Sequence, residues 1–172
     1  MSSENVEVKP RIIRKRSLIS LLIFAILFGL WWGVPTYRKA RADAMVRELC
    51  AKDGGIKVYE TVKLAADRFD EYGNPTFGSG RMPSPKRNMK PSDEYFYTWD
   101  TTWIIPETSV AALAVWRNHQ RLFKVADGKL MGEAISYSRR GGDPIGPWHP
   151  SHFGCPPNAD ITMVVRRVFV KQ

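Results

Sequence analysis

His149, His152 and Cys155 stand at H-x2-H-x2-C spacing late in the chain, and imidazole and thiolate are donors that zinc accepts. His119 or Asp143 as a fourth donor would complete a tetrahedral site. Cys155 ionised beside His149 or His152 would instead be a nucleophile with a base at hand. Both chemistries compete with a simpler one. Cys50 and Cys155 are the only cysteines, and in an oxidising compartment the economical expectation is one disulfide between them. Closing so long a loop contributes up to about 4.7 kcal/mol in the chain-entropy model. A bonded Cys155 neither ligates nor attacks, so the expectation is no catalytic residue, no metal and no cofactor; a cytosolic domain would keep two thiols instead. Asp67, Asp70 and Glu71 are the remaining candidates for acid–base work, and a solvated turn is the ordinary role of such a cluster. The chain has no G-x-S-x-G, P-loop, H-E-x-x-H, C-x-x-C or dinucleotide-binding glycine motif.

The late histidines and Cys155 belong to the segment Arg139–Asn158, RRGGDPIGPWHPSHFGCPPN, with four glycines and five prolines. Proline leaves the backbone few accessible states, so an ordered shape costs little to hold. This reads as an interaction loop presenting Arg139, Arg140, Trp148, His149 and His152. Trp148 would either anchor a partner or cover the domain's own core. A second loop, residues 73–92, is rich in proline and glycine, has no acidic residue, and carries Arg81, Lys86, Arg87 and Lys90. It would be a solvated excursion or a basic arm against anionic lipid or an acidic partner.

Something must position these loops, and the chain begins with a membrane segment. Leu18 to Val34 reads LISLLIFAILFGLWWGV, without a charge. Extended to residues 17–37 it is roughly 31 Å long at 1.5 Å per residue, the thickness of a bilayer's hydrocarbon. Trp31, Trp32 and Tyr37 mark one boundary and Arg14, Lys15 and Arg16 the other. Lys9, Arg11 and those three precede the span, against Arg38, Lys39 and Arg41 just after it. That bias favours a cytoplasmic N-terminus and a periplasmic domain, although a wider window evens the counts. A cleaved leader would have a shorter apolar stretch and a small-residue cleavage site directly after it. The resulting division is a basic arm over 1–16, a transmembrane helix over 17–37, a juxtamembrane helix over 38–55 and a periplasmic domain over 56–172.

Ala42, Met45, Val46, Leu49 and Cys50 share one helical face, and Gly54-Gly55 supplies a stop. Strands are expected at Ile56–Leu64, Glu94–Ile105, Val115–Val125, Leu130–Ser138 and Ile161–Val170, with a hairpin at Asp127-Gly128. The sum is an α+β fold: a single transmembrane helix continuing into an amphipathic helix, then a small, largely antiparallel sheet domain. With 26 Lys+Arg against 17 Asp+Glu the chain is basic at +9, yet it has no nucleic-acid motif, so nucleic acid is not an expected partner.

Residues 50–60, CAKDGGIKVYE, and 129–156, KLMGEAISYSRRGGDPIGPWHPSHFGCP, resemble a set of small proteobacterial envelope proteins with no assigned activity. The resemblance implies a membrane-associated or exported domain and adds no catalytic residue. The expected role is a non-catalytic accessory subunit of the bacterial inner membrane, in contact with lipid and with another inner-membrane or envelope protein. The alternatives are an envelope enzyme or metal protein using His149, His152 and Cys155, and a cytoplasm-facing domain tethering an anionic ligand.

Overall fold

The computed structural model describes residues 10–77, 80, 82–109, 112–144, 146–147 and 149–172, and the side chains from residue 17 onward. Trp148 and the side chains of Arg14, Lys15 and Arg16 therefore lie outside the described residues, as does most of the basic arm. The first element, α1 (Pro10–Asp53), is one helix of 44 residues. It runs through Pro35, whose ring removes a helical donor; next to it, Thr36 Oγ1 donates to Trp32 O at 2.7 Å. Every side chain from 18 to 34 is exposed, where a soluble core helix would bury a face. Among the described residues this is the one helix long and apolar enough to cross a membrane. The expected transmembrane and juxtamembrane helices are thus a single rod. It stops at the glycine pair: a Cβ on Gly54 would stand 2.7 Å from Cys50 O, and Gly55 has φ +129°, which side chains resist.

After α1 come β1 (Gly55–Val58), β2 (Val62–Leu64), β3 (Ser84–Pro85), β4 (Tyr95–Ile105), β5 (Ala114–Lys124), β6 (Leu130–Arg140) and β7 (His152–Cys155). The chain closes with α2 (Ile161–Val168) and β8 (Phe169–Lys171). The main sheet has the order β1-β6-β5-β4-β3, with β7 beside β1 on the same edge of β6. It is antiparallel except where β3 meets β4, and β2 pairs parallel with β8 in a separate ribbon. The α+β architecture with a largely antiparallel sheet is as expected, and so is the β5–β6 hairpin, where Gly128 has φ +65°.

Because side chains alternate across a strand, the sheet offers two faces, and each receives a helix. Ala42 and Val46 of α1 pack on Val115, Ile135 and Tyr137. On the other face Val164, Val165 and Val168 of α2 pack on Leu122, Met131 and Ala134. Gly132 allows this approach, since a Cβ there would meet Val164 Cγ1 at 2.9 Å.

Two expected strands are corrected. Residues 161–170 are mostly α2, not a closing strand. Ile161, Val164, Val165 and Val168 recur at helical spacing, and the Asp160 side chain caps the start by accepting from Met163 N at 2.9 Å. The β-branched residues suit a strand by type, but their period suits a helix. Residues 56–64 are not one strand either. The chain leaves the main sheet at Tyr59 and Glu60, whose N–H groups both donate to Met131 O, and joins the ribbon at Val62.

Candidate docking surface

The segment after β6 is bound tightly to α1. Cys50 and Cys155 are disulfide-bonded, with Cα atoms 6.0 Å apart. Arg139 is 2% exposed. Its guanidinium donates to Asp43 at 2.8 and 3.3 Å, and to Gly141 O, Ser151 O and Ser151 Oγ. Ser151 Oγ passes the chain on to Asp143 Oδ1 at 2.9 Å, and Lys39 Nζ donates to the same carboxylate at 2.6 Å. Burial raises the pKa of Asp143, but the donors Lys39 and Ser151 outweigh it and hold the carboxyl below its ordinary range. Arg139 is therefore turned inward, contrary to its expected place on an interaction loop. It joins the loop to the helix. Arg140 pairs with Glu107, while His149 and His152 are exposed. Among the described residues no three His, Cys, Asp or Glu gather as a metal site, and bonded Cys155 offers no thiolate. Asp70 accepts from Tyr72 N, Asn74 N and Asn74 Nδ2, which makes its cluster a turn.

A second ionic group was not foreseen. Tyr59 Oη donates to Glu133 Oε1 at 2.6 Å, and His119 Nε2 faces Glu133 Oε2 at 2.6 Å. Lys57 Nζ lies 3.6 Å from the same carboxylate. Burial pushes the Glu133 pKa up; the hydrogen bonds from Tyr59 and His119 outweigh it and leave the carboxyl lowered. Tyr59 is raised by donating to that anion. These groups occupy the same face as α1, past the helix end at Asp53, where Tyr137 Oη donates to Asp53 at 2.7 Å. The signal in the sequence is period two: Glu133 falls in one row with Ile135, Tyr137 and Arg139. Both its oxygens are engaged, so the group fastens strands together and leaves no free base.

The open chemistry lies on β4. This strand pairs with β5 along its length, but with β3 only at Phe96 and Tyr97. Pro85 ends β3, so from Thr98 to Ile105 no described strand covers the outer side. Trp99, Thr101 and Trp103 oppose Gln120, Asn118 and Trp116. Gln120 accepts from Ile161 N of α2 at 2.5 Å, which assigns this row to the α2 face. The short α2 covers only one end of that face. Trp99 is 60% exposed and Trp103 47%. A bulge between Trp103 and Ile105 turns out Ile104, 40% exposed. Trp99 Nε1 and Thr101 Oγ1 both donate to Asn118 Oδ1, at 3.3 and 3.0 Å, which holds the Trp99 ring in place. Trp103 lies 5.5 Å from Trp116, and Trp116 lies 6.1 Å from His152. Expected strand and exposed histidine thus meet in one aromatic strip. At its far end a groove of about 470 Å3 is lined by Tyr97, Trp99, Lys86 and Arg87.

No family model, curated protein or solved structure matches this chain.

Proposed function

We propose that this chain is a non-catalytic, single-pass accessory protein of the bacterial inner membrane, with its N-terminus in the cytoplasm and its domain in the periplasm, that binds an extended segment of another envelope protein along β4. The observation that carries this reading is the outer side of Thr98–Ile105, which no described strand pairs with, beneath exposed Trp99, Trp103 and Ile104. Native edges are ordinarily short, charged or interrupted by proline. An added strand would satisfy every second N–H and C=O of β4, and the indole rings would set side-chain preference. Lys86 and Arg87 at the groove favour an acidic residue at one end of that segment. The disulfide supports the topology, since such bonds persist in oxidising compartments.

A photo-crosslinking residue at positions 99, 101 and 103 tests the docking. The expected outcome is one adduct band from these sites, lost on Thr101→Pro, which removes an edge donor and blocks pairing. A protein that complements its deletion strain with no β4 adduct would refute it. A C-terminal reporter active only in the cytosol would overturn the orientation.

A further inference from the structure

We infer that the chain binds the phosphate-bearing headgroup of one phospholipid in a cleft where α1 leaves the bilayer, with Arg38 as the anion's partner. The cleft holds about 530 Å3, and α1 contributes Val34 and Arg38 to it while the domain contributes Ile105, Thr108, Leu113 and Asp143. Its volume falls within the range of small-molecule sites, about 300–1,000 Å3. Its depth coincides with the end of the apolar span, and on the neighbouring side of α1 Asp143 and Pro144 line a second hollow with Trp32. The domain's base is therefore level with the ring belt that marks a headgroup layer. The walls are divided as a lipid is: Val34, Ile105 and Leu113 are apolar, and Arg38 is cationic.

The charges also sort. Asp143 carries the negative charge of the cleft and is held by Lys39 at 2.6 Å. Arg140, at the end of β6 that leads to Asp143, is paired with Glu107. Arg38 is exposed and has no ion pair or hydrogen bond among the described residues. The cleft thus keeps one uncompensated guanidinium, whose planar fork suits a phosphate. Inorganic phosphate shares that chemistry but would leave the apolar wall wet, so the lipid is the source chosen. This inference does not depend on docking at β4.

Native mass spectrometry of the full chain, released from mild detergent doped with phosphatidylglycerol, tests it. One retained lipid per chain is expected. Arg38→Gln should weaken retention roughly fivefold, the equivalent of one basic contact. Thr108→Trp, which puts a bulky ring at an exposed position lining the cleft, should also weaken it, with the disulfide and circular dichroism unchanged. Arg41→Gln, an exposed charge on the same helix outside the cleft, should leave retention as in the wild type. Equal losses from Arg38→Gln and Arg41→Gln would mean a diffuse basic surface and refute the site. So would absence of a retained lipid, or full displacement by millimolar inorganic phosphate.

Discussion

β6 and β4 are both strands of 11 residues in one sheet, and they are used in opposite ways. β6 has neighbours on both sides and a helix against each face, and eight of its 11 residues are buried, among them Met131, Ile135 and Tyr137. β4 has a full neighbour on one side, and most of its residues are exposed. Charge is handled differently too. On β6, Arg139 and Glu133 are buried and fully paired; on β4, Asp100 lies at the surface and pairs diagonally with Arg121. Stability is concentrated around β6, where removal of one partner strands a charge. The exposed apolar residues of β4, Trp99, Trp103 and Ile104, contribute little to it, which leaves them free for contact with another molecule.

That contrast can be attacked from its stable end. Arg139→Met would leave Asp43 unpaired in a largely buried site, and breaking such a pair costs about 3–5 kcal/mol; denaturant unfolding in detergent should show that loss. Replacing Cys50 and Cys155 together by serine should cost about 2–4 kcal/mol in the same assay. Glu133→Gln acts more mildly and depends on pH. Its folded carboxyl titrates below the ordinary 4.5, so its contribution is complete above that pH and is lost as pH falls through the folded value. The variant should be less stable at neutral pH, and its deficit should shrink on acidification below 4.5. At the other end, Trp99→Thr with Trp103→Thr should change stability by less than about 0.5 kcal/mol. A cost of several kcal/mol there would make β4 part of the core and remove the distinction.

How much of this was legible in the sequence varies with the reach of the forces involved. Leu18–Val34 announces itself by composition, and Asp127-Gly128 by turn chemistry, because both signals are local. Residues 161–168 misled because β-branched side chains suit strands, while their spacing and the Asp160 cap suit a helix. The inward turn of Arg139 was hidden for a different reason. Its partners Asp43 and Ser151 are brought together only when α1 crosses β6, and nothing near Arg139 in the chain names Asp43. The bare side of β4 depends on where β3 stops, a property of the assembled sheet.

The unbroken course of α1 has a mechanical consequence. From Tyr37 to Asp53 the rod rises roughly 24 Å beyond the span, and Cys50, Asp43 and Lys39 clamp it to the domain. No swivel separates anchor from payload. Any lean of the helix in the bilayer is therefore copied by the body clamped to it, so the height and heading of β4 are dictated from below, and a partner docking there as proposed would do so at a fixed altitude over the lipid.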